Sequence, residues 1–599
     1  MSQNKYWQSF GEVNDPENLK NLSQDEFQEE LPFEGFDDKG LIDAKAPRRD
    51  FLKYLGFSTA AATLAASCKI PVKKAIPYAN KPENLVPGVA KFYATTYVQD
   101  GDVVPVLAKV RDGRPIKIEG NKLANNSFAQ GGTSARAQAS VLDLYDMYRA
   151  KFPIHKVKDK FEEVPTFEQF DKLVGDAMKA AGGSVVLLTS TIVSPSTKEI
   201  IAKFPNLKHV QYDAVSYSGM ILANEASGFG KRIPSYNFSA AKVIVSLGAD
   251  FLGTWLSPVE FAKGYSKGRK IDEKNPSMSK HYHFEGHLSM TGSNADERFT
   301  HRPELGGAVA PSIADAKLAA GIKKVAADLK ANNGAAMVVS GSNDKNVQII
   351  VNAINNTIGA YGTTIDWTRP VNYRQGIDSE FAQLVADMEA GSVGTIMIHG
   401  ANPAYNHYDA DKFKVALKKV KLRVSFSEKM DETAELCEYI IPNHHYLESW
   451  GDAEPKTGIV SFQQPTIYPL FKTRPFQTSL LKWAGDTKDY ETYFKEYWSG
   501  KLGSENALNT ALQNGVVENA AGGGASYSGS ATAAAESAIA AYKKGTGVEV
   551  VLYEKSSIGT GAQAGNPWLQ ELPDTVTKAT WDNYALISMA KAKELGIKL

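Results

Sequence analysis

Short, continuous apolar runs recur along the chain from about Phe152 onward, separated by stretches with helical spacing. Val185-Val-Leu-Leu188 is bounded by glycine on one side and Ser/Thr on the other. Val210-Gln-Tyr212, Val243-Ile-Val245 and His281-Tyr-His-Phe284 follow at intervals of roughly thirty to forty residues. Between them, Ser196–Lys203 and Ser218–Gly228 carry helix-like patterns. A second set follows with Met337-Val-Val339, Ile396-Met-Ile398 and Leu422-Arg-Val424. The turns Ser340-Gly-Ser342 and His399-Gly-Ala-Asn402 close two of these runs. Uninterrupted apolar strands alternating with helices predict buried parallel sheets. We read two doubly wound α/β units in series, at 152–310 and 311–442, after an N-terminal domain at 69–151. Ligands of such sheets lie at the carboxyl ends of the strands.

The remaining patterns fill in the ends. Residues 443–575 form a returning segment, with a Gly/Ala/Ser-rich stretch at 519–541 read as a flexible surface loop. With 599 residues the chain exceeds one core. Lys plus Arg and Asp plus Glu are equal at 67 each, so no bulk field points to nucleic acid. Two cysteines, Cys68 and Cys437, rule out a disulfide framework. Cys437 lies among apolar neighbours and reads as a buried free thiol.

The N-terminus carries an address. Residues 1–47 are an acidic presequence that begins with Tyr6-Trp7 and predicts little independent structure. In segment 48–68, Arg48-Arg49-x-Phe51-Leu52-Lys53 matches a twin-arginine export signal, followed by an Ala-rich apolar stretch. Leu64-Ala-Ala-Ser-Cys68 resembles a lipoprotein cleavage site with Cys68 as lipid acceptor.

The order of motifs in the body resembles the molybdopterin oxidoreductases. Ser246-Leu-Gly-Ala-Asp250 running to Trp255-Leu-Ser-Pro258 is similar to their strand-and-turn signature. Leu288–Asp296 with His301-Arg-Pro303, Gly400-Ala-Asn-Pro403 and Glu432–Pro442 continue it in order. The Tyr-Trp start, Thr133–Ala139 with Leu144-Tyr-Asp, and Asn443-His-His-Tyr-Leu-Glu-Ser-Trp-Gly-Asp452 resemble the molybdopterin-like part of the iron–sulfur subunit of bacterial alternative complex III. That resemblance implies a multi-domain fold, with 576–599 as the start of a C-terminal β-barrel completed by further polypeptide or by a separate chain. In that segment Tyr584-Ala-Leu-Ile587 reads as a strand, Met589–Leu595 as a helix, and Gly596 as its stop. It further implies a scaffold part of a quinol-oxidising complex on the periplasmic face of the inner membrane, lipid-anchored through Cys68. Its implied partners are a ferredoxin-like iron–sulfur domain, an integral-membrane quinol-oxidising subunit and cytochrome c subunits. The iron–sulfur clusters and haem c belong to those partners.

Cofactor chemistry in this part is expected to be absent. A four-iron cluster needs about four thiolates, and residues 69–436 hold no cysteine. Arg302-Pro303-Glu-Leu-Gly-Gly departs from the family's Pro-Gly-x-Asp at the pterin nucleotide. The alternative is an active molybdenum enzyme with Ser216 as metal ligand; the competing reading makes Ser216 a turn residue. His444-His445, on an expected strand, point to opposite faces and do not share an ion. His281, His283 and His287 make a looser cluster in which His281 and His283 share a strand face; without a carboxylate or cysteine at ligand spacing they read as structural or surface residues.

Overall fold

The computed structural model describes residues 86, 88–99, 101–122, 129–271, 276–301, 316–541 and 548–597. These lie in the compact unit Pro82–Leu599; the export signal, Cys68 and Arg302-Pro303 fall outside the described residues. Among the described residues no helix is long and apolar enough to cross a membrane.

The expected apolar runs are the strands of two parallel sheets. In the four-stranded sheet the order is Glu297–Thr300, Lys280–Glu285, Val243–Leu247, Ala336–Ser340, all parallel. In the seven-stranded sheet, Tyr439–Ile440, Leu422–Ser425, Val393–His399, Ser184–Thr189 and Leu207–Gln211 run parallel. The hairpin Ile154–Val157 and Lys160–Glu163 extends that sheet antiparallel from Tyr439–Ile440. Strands buried on both faces have no polar alternation to show, which is why they read as solid apolar runs.

The two α/β units are therefore not in series. Strands 184–189 and 207–211 join 393–440, and strand 336–340 joins 243–300, so one unit is inserted into the other. The boundary expected at 310 cuts through both sheets and separates neither from the other. Periodicity reports which segments are strands; only long-range pairing reports which sheet receives them.

Two antiparallel sheets complete the body. Lys91–Gln99, Asp102–Arg111 and Arg114–Gly120 form a meander at the N-terminal side. Ile233–Tyr236, Ile365–Val371, Gly451–Lys456, Ile459–Gln463 and Val516–Glu518 form a five-stranded sheet.

The Gly/Ala/Ser stretch is not a free loop throughout. Thr532–Ala541 is a helix, as its alanines favour, and Ala534 is buried with Ala223 and Ile349. Upstream, Gly522 N–H donates to Thr368 O at 2.8 Å and Ser528 N–H to Ser227 O at 3.0 Å. At the C-terminal end the helix Met589–Glu594 forms and Gly596 takes φ +67°, as expected. The expected strand at Tyr584–Ile587 does not form: the segment has no regular structure and joins no ladder, and no barrel is seen among the described residues.

Candidate functional site at the strand ends

The carboxyl ends of the two parallel sheets are where this architecture places a ligand. Here the loops at those ends are bonded to one another. After Val243–Leu247, the Asp250 backbone oxygen accepts the N–H groups of Gly253, Thr254 and Trp255, while its carboxylate accepts Thr291 N–H at 2.9 Å. Burial raises the Asp250 pKa against those hydrogen bonds. The loop after Ala336–Ser340 abuts it so closely that a Cβ on Gly341 would lie 2.3 Å from the Gly248 carbonyl oxygen.

At the seven-stranded sheet, Asp213 performs the same closure. Its carboxylate accepts Thr191 N–H at 3.2 Å, Thr191 Oγ1–H at 2.6 Å and Gly376 N–H at 2.8 Å. Gln211 Oε1 accepts Ile192 N–H at 2.8 Å. Ser216, the candidate molybdenum ligand, accepts Ser218 N–H at 3.0 Å through its hydroxyl oxygen. The next donor of that helix start, Gly219 N–H, goes to Asn343 Oδ1 at 2.7 Å.

The segment 553–566 crosses between the two sets of loops. Tyr553 stacks on His287, after strand 280–285, at 4.3 Å between ring centroids. Glu554 lies 3.7 Å from Arg136 and 4.0 Å from Arg374, all with buried side chains. Arg136 also pairs with Asp102 at 2.9 Å. Gln563 accepts Tyr97 O–H at 2.8 Å and donates to Asp143 at 2.7 Å, and Asn566 donates to Ala139 O at 2.8 Å. Further along, a Cβ on Gly561 would lie 3.0 Å from the Tyr405 ring, beyond strand 393–399. The gap left between Gly101–Val104, Ala129, Leu256–Val259 and Tyr373 is about 10 Å³, room for no more than one water. A wider, open groove of about 590 Å³ lies beside edge strand Leu207–Gln211, lined by Lys198, Phe204, His209 and Gln211.

The histidines fall into two groups. His281 and His283 do share a face of Lys280–Glu285 and are fully buried, with ring centroids 5.8 Å apart. The sequence reading overlooked their carboxylate: Glu285 Oε2 bonds His283 Nε2 at 2.9 Å, and Glu285 also holds Arg298 and Ser289 N–H. Burial alone would raise the Glu285 pKa, but His283, Ser289 and Arg298 hold it down to about 2. Burial pushes His281 down to about 3. The signal was present as His-x-Glu, whose period of two puts both groups on one side of a strand. Among the described residues no three His, Cys, Asp or Glu side chains are grouped to hold a metal ion.

Asn443–Asp452 is not a strand before Gly451. His445 caps the short turn Tyr446–Glu448, its Nδ1 accepting Leu447 N–H at 3.3 Å, whereas His444 Nδ1 meets Thr473 Oγ1 at 2.6 Å. The two rings part because the backbone turns there. Glu448 is buried against Arg149 in a two-bond pair, 2.6 and 3.2 Å, and also accepts Leu470 N–H at 2.8 Å. Next to them Glu428 is pushed up to about 8 by burial, with Arg149 opposing. Asp452 is buried under Ser194, Ser196 and Trp498 Nε1, the last at 2.7 Å. Cys437 is a buried free thiol donating to Thr433 O at 3.4 Å, its pKa raised by burial.

Two parallel sheets, one inserted into the other, are the fold of the molybdopterin oxidoreductases. The chain is structurally similar to acetylene hydratase from Pelobacter acetylenicus, with a TM-score of 0.51 and 12% identity over 71% of this chain and 74% of that one. In sequence it is similar to the molybdopterin-binding-like subunit of menaquinone reductase from Nitratidesulfovibrio vulgaris, 23% identical over 449 residues. That alignment covers 64% of this chain, and the chain spans 63% of the relative's length. No family profile matches the chain.

Proposed function

We propose that this chain is a scaffold domain, without molybdenum or iron–sulfur cofactor of its own, in a quinol-oxidising respiratory complex of the alternative complex III type. The observation that carries this is the use of the strand-end groups. Asp213, Asp250, Ser216 and the helix start at Ser218 are engaged by protein, Tyr553 is stacked on His287 after strand 280–285, and the same segment is tied down by Gln563 and Asn566 on the helix Ala135–Leu144. These residues do not fit a pterin dinucleotide, whose phosphates need free backbone donors. The hydroxyl of Ser216 is turned to its own backbone, which argues against the molybdenum-ligand alternative. Cys437, buried and protonated, offers no thiolate to a cluster.

The similarity to a quinone reductase subunit named molybdopterin-binding-like supports the assignment to respiratory electron transfer. In this reading the twin-arginine signal exports the folded chain, Cys68 anchors it to the periplasmic face, and a ferredoxin-like domain, a membrane quinol-oxidising subunit and cytochrome c subunits carry the electrons. Metal and pterin analysis of the purified protein tests the proposal. We expect molybdenum and extractable pterin well below one per chain; a stoichiometric content of both would establish the active-enzyme alternative.

A further inference from the structure

The open groove at the outer edge of the seven-stranded sheet, about 590 Å³ in volume, has the size of a small-molecule site, for which roughly 300–1,000 Å³ is usual. Its walls are the helix Pro195–Lys203 and the edge strand Leu207–Gln211, joined by a turn in which Asn206 takes a φ of +54°. The strand period of two brings Leu207, His209 and Gln211 to one face. Ile201 and Phe204 are buried and, with Leu207, give the groove its apolar lining.

The polar lining is rich in donors. The Lys198 ammonium makes no hydrogen bond or ion pair among the described residues. Lys198 is exposed as a residue, yet its surroundings desolvate the ammonium and hold its pKa below the ordinary lysine value. Glu454 and Asp452 oppose that shift only from longer range. Both are engaged elsewhere: Glu454 accepts Gly458 N–H at 2.8 Å and Asp452 accepts Trp498 Nε1–H at 2.7 Å. Gln211 commits its oxygen to Ile192 N–H at 2.8 Å, which leaves its amide nitrogen without an acceptor among the described residues. The Asn206 side chain makes no hydrogen bond among them either. His209 Nε2 meets Thr189 Oγ1 at 2.8 Å, and burial, with Lys198 adding to it, pushes the His209 pKa down to about 4. At neutral pH the ring therefore adds no second cation.

We propose that this groove binds a small organic monocarboxylate, its carboxylate on Lys198 and the Gln211 amide and its apolar body against Ile201, Phe204 and Leu207. A surplus of donors selects a ligand rich in acceptors, and an ammonium without a partner favours an ionised one. One cation beside a neutral imidazole matches a single negative charge. The apolar lining then separates an organic carboxylate from an inorganic anion, which has no apolar surface to bury there. The site goes beyond the scaffold reading and does not rest on it.

The test titrates the purified chain with benzoate, with its neutral isostere benzamide and with inorganic phosphate, read by ligand-observed NMR. An open groove covers only part of a ligand, so we expect saturable benzoate binding with a dissociation constant on the order of 1 mM. Benzamide and phosphate should each bind about tenfold more weakly or worse, the first for want of charge and the second for want of an apolar body. Lys198→Gln should weaken benzoate by about tenfold or more. Ala202→Trp, which fills the groove from the helix side without touching a charge, should abolish binding. Both positions are exposed, so each unliganded variant should melt like the parent. No saturable benzoate binding, benzamide or phosphate bound as well as benzoate, or benzoate bound undiminished by both variants would each overturn the proposal. Molybdenum and pterin content bears on the scaffold reading alone, so the two readings fail separately.

Discussion

At the scale of single residues, the body is organised by buried polar groups that the sequence leaves anonymous. Arg149 and Glu448 are 299 positions apart and both almost fully buried. Taking one partner away leaves the other charge uncompensated, a loss of about 3–5 kcal/mol. Arg149→Met should therefore lower the melting temperature steeply, and Arg149→Met combined with Glu448→Leu should recover much of the loss. A single variant that melts like the parent would show the pair to be dispensable. Glu285 was within reach of sequence reasoning, because His-x-Glu on a strand is a local pattern. Asp213 was not: its partners at Thr191 and Gly376 come from separate loops.

At the scale of elements, the strands and most helices follow from apolar pattern and capping. The predicted Ser196–Lys203 helix forms as Pro195–Lys203, with Ser194 accepting Thr197 N–H at 3.0 Å and proline at its first turn. The predicted strand at 584–587 has strand composition but no neighbour, and composition without pairing does not make a sheet. The 553–566 segment shows the converse. It has no regular structure, yet Gln563 and Asn566 bond the helix Ala135–Leu144 from within the core. Replacing Gln563 by Ala removes one hydrogen bond from the Asp143 carboxylate, which keeps that of Asn566, and one from the Tyr97 hydroxyl. We expect a cost of about 1–3 kcal/mol and faster proteolytic cleavage between 553 and 566. Unchanged stability with unchanged cleavage would mean that the segment merely rests on the surface.

At the scale of the whole molecule, burial of neutral histidines couples stability to pH. His209, His399 and His444 are pushed down to about 4 and His281 to about 3, in each case chiefly by burial. Their folded pKa values lie below the unfolded value near 6.5, so their contribution is present above pH 6.5 and is lost as pH falls toward 4 and 3. Glu428 acts in the other direction: raised to about 8, it favours the folded state at low pH and loses that contribution as pH rises through 8. The melting temperature should fall between pH 6.5 and 4, where these histidines take up protons, with Glu428 and the other carboxyls raised by burial, Asp143, Asp250 and Asp452 among them, opposing the fall. His399→Phe, which keeps an aromatic ring against Phe476, should shallow that fall. A melting temperature flat across this range would contradict the burial of these rings.

Export belongs to the same scale. Arg48→Lys with Arg49→Lys should hold the protein in the cytoplasm, and mass spectrometry should find an acylated Cys68 at the start of the exported chain. Export of the double variant, or an unmodified 1–68 segment in the exported protein, would remove the signal reading.

What the sequence determined by itself was local: which runs are strands, where helices begin, that 69–436 cannot supply cluster thiolates, and that the motif order is molybdopterin-oxidoreductase-like. Those properties depend on neighbours within about a dozen residues or on residue type alone. Tertiary structure decided the rest. It inserted one sheet within the other, brought Arg149 to Glu448, and laid 553–566 across the strand ends. Each of these is a pairing between segments tens to hundreds of residues apart. Such pairings are selected by burial and hydrogen-bond satisfaction over the assembled core, which no single stretch of chain encodes.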